Sequence, residues 1–476
     1  MEEQKAPEAP PAPAKGKGMW IGIVVVVIVI VILLAAVFGG LLGTPEDRVL
    51  KVGTVLSITG GLAAFGTKNR QGVIMAIDEI NTAGGVLGRP VEMFHQNDDT
   101  KPDTGRSAAT TLVSQNRVDA IVGATGSGIC STVIEVAKAN RVFEISGSCT
   151  SPKFSNTTLT GGWWARTAPS DALQGVVAAS YARTNLSFQR AGVVGINNAY
   201  GVALAQVFAD SFVRFGGTVT SGSPRIITEV QSGATDYTTD IAAVLEVNPG
   251  PQVVYVVAYP PDGVQWMEDW EAGRGANPSW NGVTWLFSEG VFDQTGFLDP
   301  LGAQFDITSY RGTAPSAFGG LTGPDYDTWA TAYNTKWSQA PGLFDDNCYD
   351  AAYLVALAAQ KAGSATGQAI KDNINDVANP PGTKIFPGEW AKAVTELAAG
   401  RDIDYEGASG SVNIDDLGDP SSGYIVWGVD AAEQWEVREI YPEALVQSLL
   451  PAPPARAPMP GLAPTIWTPL ARFEER

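Results

Sequence analysis

The chain predicts an α/β fold of two lobes, each a parallel sheet covered by helices. Three observations carry that expectation. From Leu50 onward short β-branched runs alternate with helical patterns, the alternation restarts after about Arg166, and 476 residues suffice for two or three lobes at about 100–200 residues each.

In the first unit LKVGTVLS reads as a buried strand, and Val73, Ile74, Ile77 and Ile80 then recur at helical spacing until Gly84 and Gly85 stop the helix. There follow a strand at PVEMFHQ, a helix starting near Pro102, a strand at DAIVGA, a helix from about Cys130 to Asn140 and a strand at RVFEIS. The second unit has a helix around Gln174 to Arg183, the strand RAGVVGI, a helix after Gly201, the strand PQVVYVVAY, a helix after Pro261 and the strand GVTWLFS. Tyr326 to Ala399 reads as mostly helical, with Tyr349, Ala352, Tyr353, Ala356 and Leu357 on one face. Two late strands, GSVNID and GYIVWGV, close the fold.

The termini differ in composition from this body. Residues 1–18 are Pro/Ala-rich and charged, a disordered cytoplasmic stub. Residues 19–43 hold an uncharged run, Met19 to Leu42, long enough to cross a bilayer core of roughly 30 Å. It reads as a transmembrane anchor. A cleaved signal is the alternative, but the run exceeds the usual apolar core of about 7–15 residues. Lys5, Lys15 and Lys17 before the span favour a cytoplasmic N-terminus and an exported globular part. Residues 446–476 form a Pro-rich tail. Export permits disulfides: Cys130 and Cys149 can pair, leaving Cys348 over, and three free thiols are the other reading.

Composition removes several functions. Lys and Arg number 31 against 50 Asp and Glu, so the net charge of −19 argues against a nucleic-acid partner. One histidine and three cysteines rule out a His-rich metal centre or zinc ribbon, and no cofactor is expected. His95 is the only histidine for a general base, and no G-x-S-x-G nucleophile elbow accompanies it. Asp98 and Asp99 are expected to cap the following helix.

Open parallel sheets place a ligand at the carboxyl ends of their strands. Four loops there are rich in Gly, Ser, Thr or Asn: ITGGLAAFG, TGSGICS, SGSCTSP and INNAYG. TGSGICS turns into a helix, and its free N–H groups with the Ser127 hydroxyl suit an anion, most simply a carboxylate. Ser148 and Thr150 can add donors, although helix capping by Ser127 explains the same pattern. In the second unit Tyr200, Tyr259 and Glu289 end strands or open helices. Glu289 can pair with an ammonium and the rings enclose it, while a solvated Glu and packing Tyr side chains are the plainer alternative.

The strings KVGTVLSITGGLAAFG, GVIMAIDEINTAGGVLGRPVEMFHQNDDTKPDTG, FEISGSCTSP, ARTAPSDALQG, NNAYG and YEGASGSVNIDDLGDPSSGY, in that order, resemble the branched-chain amino acid binding proteins of ABC importers over Leu50 to Val437. The resemblance implies a type I periplasmic binding protein: two Rossmann-like lobes joined by a three-segment hinge and closing on the ligand. Lobe 1 is then 50–167 with 315–400, and lobe 2 is 168–314 with 401–445. Ser127 matches the family's carboxylate-binding serine, and Ser148 and Thr150 fall in the neighbouring ligand loop. Tyr200 matches the tyrosine of a YG turn, Tyr259 the aromatic after the next strand, Glu289 the acid for the ligand ammonium, and Phe65 an aromatic at the pocket mouth. Ser148 and Cys149 stand where the family often has small apolar residues, Phe65 where it often has Tyr, and Gly126 where it has a half-cystine. The implied function is capture of a small amino acid, branched-chain or otherwise aliphatic, for delivery to ABC permease subunits. The implied protein is monomeric and non-enzymatic, anchored in the cell membrane with its binding domain outside. A sensory ectodomain, or a binder of amides or aromatic acids, would use the same fold.

Overall fold

A computed structural model describes residues 48–315 and 324–451. The expected stub (1–18), anchor (19–43) and the tail after Pro451 lie outside these residues. No helix among the described residues is long and apolar enough to cross a membrane. The described residues from Val49 onward belong to one compact unit.

The chain begins with β1 (Lys51–Leu56), α1 (Ala63–Thr82), β2 (Glu92–Asn97), α2 (Pro102–Thr111), β3 (Ala120–Gly123), α3 (Ser127–Ala139), β4 (Phe143–Ser146) and β5 (Trp164–Arg166). These strands form an all-parallel sheet in the order β2-β1-β3-β4-β5. β3 and β4 are buried at every position, as strands covered by helices on both faces must be. α3 starts three residues before the expected Cys130, because Gly126 in an extended conformation already serves as its N-cap. β5 was not anticipated, since three residues carry no readable period.

The second lobe holds α4 (Asp171–Ser180), β6 (Arg190–Ile196), α5 (Gly201–Arg214), β7 (Thr218–Val219), β8 (Arg225–Ile227), α6 (Thr238–Leu245), β9 (Val253–Val257), α7 (Pro260–Arg274), β10 (Thr284–Phe287) and β11 (Arg311–Pro315). The chain then returns to the first lobe for α8 (Pro324–Trp337), α9 (Asp345–Ala362), α10 (Gly367–Ala378), β12 (Thr383–Ile385), α11 (Trp390–Ala398), β13 (Ile403–Gly407) and β14 (Gly410–Ser411). It ends in the second lobe with β15 (Tyr424–Val429), β16 (Trp435–Tyr441) and α12 (Glu443–Leu449). The second sheet has the order β16-β15-β11-β10-β9-β6-β7, with β8 also on β6.

Four expectations need correction. The second sheet is mixed: β15 runs antiparallel to β11, and β16 antiparallel to β15, because the short link at Asp430 to Gln434 can only reverse the chain. Residues 401–420 belong to the first lobe. β13 pairs with β12, and Ile403, Tyr405, Val412 and Ile414 join the core that holds Val52 and Val122. Asp350 fixes that segment by accepting bonds from the Tyr405 hydroxyl and the N–H groups of Ala408 and Ser409. Within GSVNID only Gly410 and Ser411 are strand, and the start assigned to the tail, at 446, falls inside α12 with Val446 buried.

α9 is more buried than its predicted single apolar face requires: every residue from Asp345 to Ala359 is buried, between α1, α10 and the first sheet. Gly72 permits the closest approach, since a Cβ there would lie 2.1 Å from the carbonyl oxygen of Asp345. The chain crosses between lobes from Arg166 to Asp171, between Pro315 and Pro324, and from Asp419 to Tyr424.

Candidate functional site

The carboxyl ends of the two sheets face each other across a cleft. From the first lobe come Leu62 in the turn after β1, Phe65 in the first turn of α1, the start of α3 with Ser127, and the loop after β4 with Ser148 and Thr150. From the second come Tyr200 and Tyr259, N-cap residues of α5 and α7, and Glu289 just after β10. These residues line one small cavity of about 30 Å³. Thr125, Gly126, Gly290, Leu343 and Phe344 complete its wall.

On the first-lobe wall Ser127 is the first residue of α3 and makes no capping bond. Its Oγ accepts from the Ser151 N–H at 3.2 Å, so its own proton is free for a ligand. Ser148 is committed differently: its hydroxyl donates to the carbonyls of Thr125 at 2.8 Å and Ala124 at 3.2 Å. It shapes the loop rather than offering a free proton. Cys130 and Cys149 are joined in a disulfide that ties α3 to this loop, and Cys348 is free and buried.

The second-lobe wall is acidic and almost dry. Glu289 accepts from Gln174 Nε2 at 2.5 Å, and Gln174 is itself held by Thr313. Burial pushes the Glu289 carboxyl up to about 7, with Gln174 and Tyr200 pulling the other way. Asp171, at the start of α4, is fully buried, and burial followed by the Glu289 charge raises it well above the usual carboxylate range. The Tyr200 hydroxyl donates to Ser288 Oγ at 2.7 Å and accepts from Gly290 N–H at 3.2 Å. Its ring stacks on Tyr259 with centroids 5.6 Å apart.

The remaining wall is apolar. Leu62, Phe65, Leu343 and Phe344 are buried in one cluster with Tyr200 and Tyr259 of the opposite lobe. Phe344 holds a left-handed φ of 67°, a strained conformation for an aromatic residue. The lobes also meet through polar clasps: Gln231 donates to the Thr100 carbonyl at 2.8 Å and accepts from Gly61 N–H at 3.3 Å, and Ser151 Oγ donates to the Ala199 carbonyl at 2.7 Å. The cleft is therefore closed.

His95 lies apart from this cavity. It sits within β2, bonded to Thr54 Oγ1 at 2.8 Å, and burial with the nearby Arg70 charge pushes its imidazole down to about 4. Asp98 does not cap α2, whose N-cap Lys101 makes no side-chain capping bond; it accepts instead from Ser57 Oγ at 2.6 Å and Thr100 N–H at 2.8 Å. Among the described residues no cluster of metal-ligating side chains occurs. Sequence reasoning missed Asp171, Gln174, Leu343 and Phe344. The first two stand inside the ARTAPSDALQG string, but an acid opening a helix carries no sign that it will be buried beside Glu289.

A family model described as periplasmic binding protein matches residues 49–416. The chain belongs to this family. Proteins of this family are solute-binding and extracytoplasmic, and solved structures of type I periplasmic binding proteins share its fold. A chemotactic signal transduction system substrate-binding protein, BasB of Halobacterium salinarum, is 27% identical over 389 residues, spanning 79% of this chain and 86% of BasB. The Leu/Ile/Val-binding protein BraC3 of Rhizobium johnstonii is 33% identical over 159 residues, 33% of this chain and 42% of BraC3. Among solved structures, the leucine-binding protein LivK of Thermotoga maritima superposes with a TM-score of 0.67 at 21% identity, covering 83% of this chain and 99% of LivK. A solute-binding protein of Rhodopseudomonas palustris BisB5, solved with 3,4-dihydroxybenzoic acid, gives 0.64 at 19% identity, covering 83% and 98%. At these identities the superpositions speak for the fold.

Proposed function

We propose that this binding protein captures a small aliphatic α-amino acid between its two lobes and delivers it to an ABC permease. One observation carries the reading: a single cavity sets the free Ser127 proton and the start of α3 against the buried acid Glu289, whose charge reaches the fully buried Asp171. That polarity is the complement of a zwitterion. Leu62, Phe65, Leu343 and Phe344 supply an apolar wall for an aliphatic side chain. Thr150 and the rings of Tyr200 and Tyr259 complete the grip in this reading.

The mechanism is a population shift. A ligand held by both walls adds free energy only to the closed arrangement, and a permease that prefers the open one releases it. No covalent step takes part, and residues 19–43 would anchor the protein beside its permease. Calorimetric titration with a panel of α-amino acids tests the ligand class: leucine, isoleucine or valine should bind, and absence of heat for the whole panel would remove it. An aromatic acid lacks the ammonium that the buried Glu289 carboxylate would pair with, so 3,4-dihydroxybenzoate should not compete.

A second reading, ligand sensing for taxis, is supported by the name of the BasB relative and its coverage of this chain. Deleting the gene distinguishes the two. Loss of labelled leucine uptake favours import, whereas intact uptake with lost taxis favours sensing.

A further inference from the structure

Two of the sequence strings that carry the resemblance, ARTAPSDALQG and YEGASGSVNIDDLGDPSSGY, meet at one buried point outside the ligand cavity. Arg166 ends β5 where the first crossover begins, and its side chain has no exposure. Its Nε donates to Asp419 Oδ1 at 2.7 Å, its Nη1 to the carbonyls of Ser151 at 2.9 Å and Cys149 at 3.1 Å, and its Nη2 to Ser155 Oγ at 3.1 Å. Asp419 opens the third crossover and also accepts from Ser155 Oγ. The main chain repeats the link, since Arg166 N–H donates to the Gly418 carbonyl at 2.9 Å.

The two carbonyls that Arg166 holds flank Thr150. The Thr150 carbonyl accepts from Asp171 N–H at 2.9 Å, at the far end of the first crossover, and Ser151 N–H is the group bonded to Ser127 Oγ. One guanidinium thus touches the loop behind the ligand grip and two of the three crossovers. A planar fork can hold a carboxylate and two carbonyls in fixed directions together, which an ammonium cannot.

We propose that Arg166 and Asp419 are positioning residues that couple lobe closure to the ligand grip, holding the 148–152 loop in register with the first and third crossovers. The ligand side of this inference rests on the proposed function; the coupling itself does not. A buried ion pair that served stability alone would loosen the whole fold when weakened. A coupling pair loosens the loop and the crossovers together and leaves the distant core as it was.

The test uses the full-length chain with Arg166→Lys, Asp419→Asn and the double variant. Amide hydrogen exchange without ligand is read over 147–152 and 418–424, with α9 and β6 as controls. Each single variant should speed exchange about tenfold or more in both segments and leave the controls unchanged. Leucine should bind roughly tenfold more weakly through faster dissociation, and the double variant should lose no more than the worse single one. Exchange that rises in one segment only, or everywhere, or losses that add in the double variant, would overturn the proposal. If Arg166→Lys does not fold, Asp419→Asn, which keeps its shape, decides by the same exchange readout. If the wild-type protein binds no α-amino acid, the proposed ligand class falls, and exchange still judges the coupling.

Discussion

The carboxyl of Glu289 lines the cleft on the second lobe and interacts with the fully buried carboxyl of Asp171, whose pKa the Glu289 charge lifts further than burial alone. Two acids so placed are costly in a closed, ligand-free cleft and become favourable when a cation enters.

Replacing Glu289 with Gln should therefore separate binding from stability. Affinity for an α-amino acid should fall by about 2–3 kcal/mol with the loss of one charge-assisted bond. Melting of the ligand-free protein should rise, because a buried charge has gone. Calorimetry and a thermal melt read the two effects, and unchanged affinity would mean that Glu289 does not meet the ammonium.

Binding should also depend on pH. In the ligand-free site Glu289 titrates at about 7, and an ammonium beside it would pull that value down. Deprotonated Glu289 favours the complex, so affinity is full above the raised value and declines as pH falls through it. The slope approaches one decade per pH unit, with a proton released on binding. Titrations at pH 5.5, 7 and 8.5 in buffers of different ionisation enthalpy measure both; flat affinity would refute the linkage.

Stability should run the other way. Burial raises Asp98, Asp345 and Asp350 to about 6 each, against about 3.9 in the unfolded chain. The folded state thus holds more protons between these values. The resulting stabilisation is complete below about 4 and is lost as pH rises through about 6. Urea midpoints should be higher at pH 5 than at pH 8. Glu144 sharpens the test, being fully buried with no hydrogen-bond partner on either oxygen. Glu144→Gln should raise the midpoint at pH 8 more than at pH 5.

The Cys130–Cys149 bridge closes a short loop, with a sequence separation of 19. Its loss should cost about 3 kcal/mol by restoring freedom to the unfolded chain. It should also weaken ligand binding, since Cys149 stands between Ser148 and Thr150. Melting and leucine titration of a Cys130→Ala/Cys149→Ala variant check both. An unchanged melting temperature would mean that the bridge constrains nothing.

Much of the fold was legible because strand and helix periods are local. β1, β3, β4, β6, β9 and β10 fall where their β-branched runs predicted, and the loops after them hold most of the residues that line the cavity. What escaped the sequence were elements too short to show a period, such as β5 and β8, and the pairing with β12 of β13, a strand that Asp350 also holds from far away in the chain. The Ser127 donor was readable from its glycine-rich helix start. Ser148 read the same way, and only its bonds to Thr125 and Ala124 show its proton already spent.

The sequence by itself determined the two α/β units, the loops that face the cleft, and the family. Tertiary structure alone decided that the third crossover follows Asp419, that Leu343 and Phe344 join Phe65 as a wall, and that Asp171 stands with Glu289. Periodicity and turn chemistry act over a few residues, so they can be read along the chain. Which acid shares a dry pocket, and which arginine ties two crossovers to one loop, depends on contacts between segments more than a hundred residues apart, and those exist only once the lobes have packed.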